Sequence, residues 1–198
     1  MTLEILFALS AYALVSSITP GPNNLMLMAS GANFGFARTI PHMLGISIGF
    51  LVLVVLVGIG LAQIFERFPI SHTVLKVVSV IYLLYLAWKI ARAAPIEDRE
   101  SAGKPMSFLQ AALFQWVNPK AWSMALTAIS VYAPATALWA LALVGGIFAL
   151  VNLPSVAVWA VLGREMARIL TNTRRLVIFN WTMALLLVGS LVPVLMPA

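Results

Sequence analysis

Charged residues are scarce in this sequence. Only 9% of its 198 residues are Asp, Glu, Lys or Arg, whereas a soluble domain carries about 25%. Hydrophobic residues make up 62%, and the mean hydropathy is +1.02. So few polar residues cannot cover the surface of a soluble domain. The composition therefore predicts an integral membrane protein whose outer surface faces lipid.

Cysteine is absent and acids are few, and both shortages exclude kinds of chemistry. Without cysteine, the chain has no disulfide framework, thiol nucleophile, Cys-rich zinc site or iron–sulfur cluster. Asp98 is the only aspartate, and the two histidines, His42 and His72, fall near opposite ends of apolar stretches. Walker A, HExxH and dinucleotide-binding motifs are also missing. We therefore expect no metal, no cofactor and no ATP hydrolysis.

Six apolar stretches are long enough to cross a membrane, which takes roughly 20 helical residues. Because no basic residue precedes Arg38, we expect the first stretch to be retained and not cleaved as a signal peptide. The predicted fold is an all-α integral membrane protein with six transmembrane helices in one domain over residues 1–198. The six stretches cover about residues 3–35, 39–64, 70–91, 108–132, 135–162 and 176–198.

Basic residues are distributed unevenly between the predicted loops. Nine of the twelve lie at one side of the membrane, and only Arg67 and Lys76 lie at the other. Because cytoplasmic loops attract Lys and Arg, we expect both termini to face away from the cytoplasm. The net charge of +6 then indicates contact with membrane lipid and no nucleic-acid partner. The nine are Arg38, Lys89, Arg92, Arg99, Lys104, Arg164, Arg168, Arg174 and Arg175.

Two proline-containing breaks indicate an internal repeat. Pro20 and Pro119 lie 99 residues apart, each in the first span of its half. Three spans are an odd number, so the second half must be inserted upside down relative to the first. The result is a 3+3 inverted repeat with broken first and fourth helices, as in many secondary transporters. The predicted parts are repeat 1 at about 1–94, a cytoplasmic linker at about 95–106 and repeat 2 at about 107–198.

The residues at the breaks predict helix starts inside the membrane. Asn118-Pro119 has the order of an N-cap followed by a first helical position. Two prolines and a glycine between Thr19 and Asn24 should end one helix and begin another near Pro22. Both new helices would then have free backbone N–H groups directed at the midplane, an arrangement suited to a carboxylate.

Lys120 lies in the middle of the fourth predicted span. It is 12 residues from each end of that span, or about 18 Å along a helix axis. An intramembrane lysine usually faces a cavity or a partner, and no acid lies at this depth, so we expect a bound anion. The alternative, a span that begins at Ala121, leaves too few apolar residues to cross.

The candidate substrate-binding residues are those of the two breaks and one further asparagine. We expect Asn23 and Asn24 to contact a ligand or ion because they flank the first break. For Asn152, ligand contact and a hydrogen bond to a carbonyl freed by Pro154 remain equal alternatives. The set is Pro20, Gly21, Pro22, Asn23, Asn24, Asn118, Pro119, Lys120 and Asn152.

Small residues recur at a spacing of four in two stretches, 31–35 and 45–49. The second stretch also matches the GxSxG motif of hydrolases, but that motif requires a strand-turn-helix setting, and here it lies in an apolar helix. Close helix packing is the better explanation. The sequence does not separate packing within the chain from contact between two copies in a homodimer.

Three stretches resemble the LysE/RhtB family of bacterial amino-acid exporters. They are TPGPNNLMLMASGANFGFARTIPHMLGISIGF (19–50), VIYLLYLAWKIARAAP (80–95) and FLQAALFQWVNPKAW (108–122). They are most similar to the subgroup that exports cysteine and O-acetylserine, and neighbouring subgroups export threonine and homoserine. The resemblance implies a proton-coupled secondary carrier of the bacterial inner membrane. It also places the family's two broken-helix motifs on residues 20–24 and 118–120.

Phe50 stands where several of those subgroups carry an acidic residue. A basic substrate would bury its side-chain ammonium there without a carboxylate, which is unfavourable. We therefore expect a small neutral amino acid, with its carboxylate at Lys120 and the half-helix N-termini and its ammonium at the freed carbonyls. Because no acid lies at membrane depth to carry a coupled proton, His42 is the candidate proton carrier.

Two other classes of protein remain as alternatives. A membrane-embedded enzyme would need a nucleophile, a base or a metal site at one depth, and the counts of Cys, Asp and His disfavour it. A structural or assembly subunit without transport activity would tolerate an apolar residue in place of Lys120. A carrier would lose transport on the same change while remaining folded.

Overall fold

The computed structural model describes residues 2–93, 104–133 and 138–195, and these ranges contain helices and no strands. This confirms the all-α prediction. Most of the predicted linker lies outside the described residues. The helices are α1 (Leu3–Ile18), α2 (Pro22–Phe34), α3 (Phe36–Leu56), α4 (Gln63–Arg67), α5 (Ile70–Ala91), α6 (Phe108–Phe114), α7 (Pro119–Tyr132), α8 (Leu138–Ala167), α9 (Thr173–Gly189) and α10 (Val192–Leu195).

Three helices are long and apolar enough to cross a membrane alone. They are α5, α8 and Phe36–Leu61, in which a π-helical turn extends α3. Helices α1 and α2 meet this standard together, with a bend of 54° between them. Helices α6, α7 and α9 are shorter, with 7, 14 and 17 residues. Within the described residues, length and composition therefore give three helices that could cross a membrane, or four if the bent pair counts as one span.

In the second half of the chain, two helix ends differ from the limits predicted from the apolar stretches. The fifth span was predicted to end at residue 162, but α8 continues to Ala167. Polar residues continue this helix, and Glu165 pairs with Arg168, just beyond the helix end, at 3.0 Å. The sixth span was predicted from residue 176, but α9 begins at Thr173, where the side chain of Asn172 accepts a hydrogen bond from the backbone of Arg175.

The two halves of the chain are interleaved. Helix α8 of the second half packs along α1, α2 and α3, whereas α6 packs along α3 and α5 along α9. The closest approach joins α2 and α8. A Cβ on Gly31 would collide with the carbonyl oxygen of Ala160, and one on Gly163 would collide with that of Met28. Both positions therefore need glycine for space.

The two glycines of the GxSxG motif also make room for a neighbouring helix. A Cβ on Gly45 would collide with the carbonyl oxygen of Phe108, and one on Gly49 would lie 2.6 Å from the Cα of Ala112. The motif lies inside α3, where it lets α6 approach closely. The packing interpretation is confirmed, and these contacts are made within one chain.

Candidate functional site

The first break lies between α1 and α2 and has the predicted position. Helix α1 ends at Ile18, α2 begins at Pro22, and Gly21 is the N-cap of α2. Thr19 and Pro20 are exposed, and the N–H of Thr19 makes the last backbone hydrogen bond of α1, to the carbonyl of Val15. In a membrane, the carbonyls released here need donors from elsewhere in the chain.

Side chains supply those donors. The side-chain amide of Asn24 donates to the carbonyls of Ser17, at 2.8 Å, and Thr19, at 2.7 Å. The indole N–H of Trp159, on α8, donates to the carbonyl of Ile18 at 3.0 Å. The end of α1 is thus held by two other helices, α2 and α8. Asn24, predicted to contact a ligand, here uses its amide group to satisfy the break.

Lys120 completes the set of donors. Its Nζ lies 2.8 Å from the carbonyl oxygen of Thr19, 3.0 Å from Oγ1 of the same residue and 3.3 Å from the carbonyl oxygen of Pro20. An ammonium group has three hydrogens, so each has an acceptor. The bound anion expected at Lys120 stays a prediction. In the structure the lysine is held by protein oxygens at the negative end of α1, which a search for acidic side chains does not find.

Gly21 leaves room for the Lys120 side chain. A Cβ added at Gly21 would lie 2.8 Å from Cδ of Lys120 and 3.1 Å from its Nζ. The backbone at Gly21 is extended, with a φ of −179°, which any residue can adopt. Glycine therefore leaves space for the lysine in its observed position, and the flexible end of Lys120 would have to move if a side chain were added here.

The second break is capped by its own residues. The side chain of Asn118 accepts a hydrogen bond from the backbone N–H of Lys120 at 3.2 Å, and the carbonyl of Asn118 accepts from Ala121 at 3.0 Å. Pro119, the first residue of α7, has no N–H. The predicted N-cap is confirmed, but the expectation of free N–H groups at both helix starts is wrong for α7. The start of α2 has no side-chain cap, so it alone presents such groups.

An amide pair joins the two breaks. Nδ2 of Asn23 donates to Oε1 of Gln115 at 2.9 Å, and Nε2 of Gln115 donates back to Oδ1 of Asn23 at 3.2 Å. Gln115 is fully buried and also donates to the carbonyl of Ala111. Asn23, predicted to contact a ligand, therefore holds α2 against the chain just before the second break.

Asn152 lies at the junction of three helices. Its Nδ2 donates to the hydroxyl of Ser17 on α1 at 3.1 Å, and its Oδ1 accepts from the hydroxyl of Ser47 on α3 at 3.0 Å. The structure thus favours a helix-to-helix role, with hydroxyl groups and not a carbonyl freed by Pro154 as partners. Sequence reasoning missed both serines because a hydroxyl in an apolar helix commonly bonds to its own backbone and so gives no distinctive signal.

A small cavity lies where these groups converge. Its volume is about 20 Å³, enough for one water molecule and too small for an amino acid. Phe50 forms part of its apolar wall and packs edge-to-face on Phe148, with ring centroids 5.2 Å apart. Six predicted site residues line the cavity: Gly21, Asn23, Asn24, Asn118, Lys120 and Asn152.

Residues 14–194 match the LysE type translocator family. The chain belongs to this family. Its relatives include the cysteine/O-acetylserine efflux proteins of Salmonella typhimurium, 36% identical over 133 residues that cover 67% of each chain, and of Klebsiella pneumoniae, 32% identical over 198 residues that cover 95% of each chain. The corresponding protein of Escherichia coli K12 is 35% identical over 135 residues, or 67% of each chain. No solved structure matches significantly.

Membership of the LysE type translocators makes this chain a transporter and not an enzyme. In this LysE-family protein, three predicted site residues, Pro20, Pro22 and Pro119, shape the breaks but are not part of the described cavity lining. The lining includes Ser16, Ser17 and Gln115, which sequence reasoning did not select. Gln115 could have been selected, because it is an uncharged polar residue at the depth of the second break.

Proposed function

We propose that this chain is a secondary carrier of the bacterial inner membrane that exports small neutral amino acids or their derivatives, such as cysteine or O-acetylserine. The family match supports transport, and the names of the relatives support the substrate class. The observation that carries the proposal is the cavity at which the two breaks meet, with Lys120 reaching from the second break to the carbonyls of the first.

The proposed architecture has six crossings in a 3+3 inverted repeat, with repeats at about 1–94 and 107–198 and a cytoplasmic linker at about 95–106. Helices α6 and α7 would form a broken span equivalent to α1 and α2, and α9 would be the sixth crossing. The packing supports this pairing, because α8 contacts both parts of the first broken span and α3 contacts both parts of the second. The basic residues support a topology with both termini outside the cytoplasm.

An amino acid is suited to replace the contacts that Lys120 now makes. Its ammonium group would take over the carbonyls of Thr19 and Pro20, while its carboxylate would receive Lys120 and the uncapped N–H groups of α2. The ammonium groups of Lys120 and of the substrate, and the substrate carboxylate, then each have a partner of opposite charge or partial charge while the substrate replaces Lys120. Phe50 in the cavity wall, in place of an acid, disfavours a substrate with a second ammonium group.

Transport by this site requires a change of conformation, because a cavity of about 20 Å³ does not admit an amino acid. We assign this change to alternating access, in which the interleaved halves rock about the breaks. Proton coupling is part of the proposal, with His42 as the candidate carrier. A homodimer stays a prediction. Gly31, Gly45 and Gly49 do not support it, because they pack within the chain.

The efflux of labelled amino acids from preloaded cells tests the function. Cells making the wild type at a matched membrane level should lose cysteine, O-acetylserine, threonine or homoserine faster than control cells and should retain lysine. The Lys120→Met variant should abolish this efflux, whereas Lys76→Met should not. If the wild type accelerates no efflux, the function is wrong. If Lys120→Met transports normally, the function stands but the site is wrong.

Labelling from outside intact cells tests the topology. The native chain has no cysteine, so single substitutions give an unambiguous signal. Gln63 and Thr171 are both exposed and are predicted on opposite sides of the membrane. A membrane-impermeant maleimide should label the Gln63→Cys variant in intact cells and the Thr171→Cys variant only after permeabilisation. The reverse pattern would contradict the proposed orientation.

A further inference from the structure

A second cavity lies between α2, α3 and α5, at the end of the bundle that carries most of the basic residues. Its volume is about 230 Å³, which is room for a molecule of amino-acid size. Leu86 and Met106 contribute to its apolar wall. The polar and basic residues of its lining are Ser30, Asn33, His42, Lys89, Arg92 and Lys104.

His42 is the unexplained group of this cavity. Its side chain is 1% exposed, and neither ring nitrogen has a hydrogen-bond partner within the described part of the chain. A neutral imidazole has one donor and one acceptor, and a buried polar group without partners is unfavourable. The ring therefore lacks two contacts that a ligand can supply.

The polar neighbours of His42 are already engaged. The hydroxyl of Ser30 pairs with that of Thr39 at 2.9 Å, and Thr39 also donates to the carbonyl of Gly35 at 2.8 Å. Asn33 and Asn180 exchange two hydrogen bonds, of 2.8 and 3.2 Å, between α2 and α9. These pairs hold the wall of the cavity in place, whereas the buried ring nitrogens of His42 have no hydrogen-bond partner among the described residues.

The two cavities follow one another along α2 and α3. His42 lines the larger cavity, and Ile46, one turn later on α3, lines the cavity at the breaks. On α2, Asn23 lines the cavity at the breaks and Met26 lines the larger one. A helical turn advances about 5.4 Å. The larger cavity therefore lies between the basic end of the bundle and the cavity at the breaks.

We propose that the larger cavity is the cytoplasmic docking site of the exported amino acid. Lys89, Arg92 and Lys104 attract the carboxylate, and His42 binds the inner end of the substrate through its ring nitrogens. The apolar wall suits a neutral side chain. This inference rests on the proposed function and extends it, because the substrate then has a binding site before it reaches the breaks.

Efflux at graded internal substrate concentrations tests the docking site. In His42→Leu, the cysteine concentration that gives half-maximal efflux should rise about tenfold, as expected for a lost hydrogen bond to a charged group. His42→Gln should restore part of the affinity because its amide group both donates and accepts. Lys104 is exposed, so Lys104→Gln should not disturb packing. This variant should also raise the cysteine concentration that gives half-maximal efflux.

Matched controls come from the other side of the proposed membrane. His72→Leu and Lys76→Gln remove the same side-chain types and should leave the half-maximal concentration unchanged. If the wild type exports cysteine but neither His42→Leu nor Lys104→Gln alters this concentration, the docking site is wrong and the proposed function stands. A fall in maximal rate with an unchanged half-maximal concentration would also overturn the docking site. If the wild type exports nothing, the proposed function itself fails.

Binding to the purified protein distinguishes an amino acid from a lipid headgroup, which shares the anionic chemistry. Full-length protein in phosphatidylcholine nanodiscs should bind labelled cysteine in the presence of a reductant, more weakly in His42→Leu. Addition of phosphatidylglycerol should leave this binding unchanged. If phosphatidylglycerol displaces cysteine from the wild type and not from His42→Leu, the cavity is a lipid site and the proposal is overturned.

Discussion

The two helix breaks have similar sequence chemistry but satisfy their backbone groups differently. At the second break, Asn118 caps α7 through its own side chain and carbonyl. At the first break, the carbonyls at the end of α1 depend on Asn24, Trp159 and Lys120, which come from three different helices. The second break is a local structure, whereas the first exists only in the assembled bundle.

This difference gives the two breaks different roles. The first presents acceptors at the end of α1 and an uncapped helix start at α2, whereas the second supplies the ammonium group of Lys120. The two breaks therefore contribute different groups to the cavity between them. Substitutions that disturb the first break should therefore have larger effects than those at the second.

The largest effect is expected from Gly21→Leu. The new side chain would occupy the position of Cδ and Nζ of Lys120, so the link between the breaks would be lost. The free energy of unfolding should fall by about 3 kcal/mol, the upper range for overpacking, and efflux should stop. Gly146→Leu is the matched control, because a Cβ at Gly146 meets nothing within 4 Å. Denaturation in detergent micelles measures the free energy of unfolding of both variants. An equal decrease in Gly21→Leu and Gly146→Leu would contradict this role of Gly21.

A smaller effect is expected from Asn24→Ala. The substitution leaves the carbonyl of Ser17 without its donor, while that of Thr19 keeps Lys120. One buried acceptor is then unsatisfied, and the free energy of unfolding should fall by about 2 kcal/mol. The same denaturation experiment measures it. If Asn24→Ala lowers the free energy of unfolding by less than Asn118→Ala does, the proposed ranking of the two breaks is reversed.

Asn118→Ala should lower the free energy of unfolding by about 1 kcal/mol, the usual effect of a lost N-cap. Asn118→Ser should retain most of the stability because serine also caps helices well. Both variants should still fold, since only the first turn of α7 is affected. If serine is as harmful as alanine in the denaturation experiment, Asn118 does more than cap the helix.

The smallest effect is expected for the amide pair between the breaks. Asn23→Ala, Gln115→Ala and the double variant form a cycle, and the coupling should be about 0.6 kcal/mol, as is average for side-chain hydrogen bonds in membrane proteins. Asn33 and Gln115 form a control pair, because Asn33 bonds to Asn180 instead. A coupling of zero between Asn23 and Gln115 would remove the amide pair as a link between the breaks.

The positions of both breaks could be predicted because their causes are local. The first break has a glycine between two prolines, and the second has an asparagine before its proline, so Pro22 and Pro119 mark new helices. A lone proline does not, because Pro41 and Pro154 lie inside α3 and α8. The partner of Lys120 could not be predicted in the same way. A backbone carbonyl is present at every residue, so the sequence does not indicate that those of Thr19 and Pro20 lie within reach of Lys120.

The sequence by itself determined the apolar composition typical of a membrane protein, the apolar stretches, the sites of the breaks and the uneven distribution of basic residues along the chain. These properties follow from composition and from the chemistry of neighbouring residues. Only the tertiary structure decided which groups meet, as with Lys120 and Thr19, which are 101 residues apart. It also decided which buried side chain has no hydrogen-bond partner in the described part of the chain, as with His42. Such contacts depend on how α8 and α6 pack against the first half, and residues distant in sequence are brought together only by that packing.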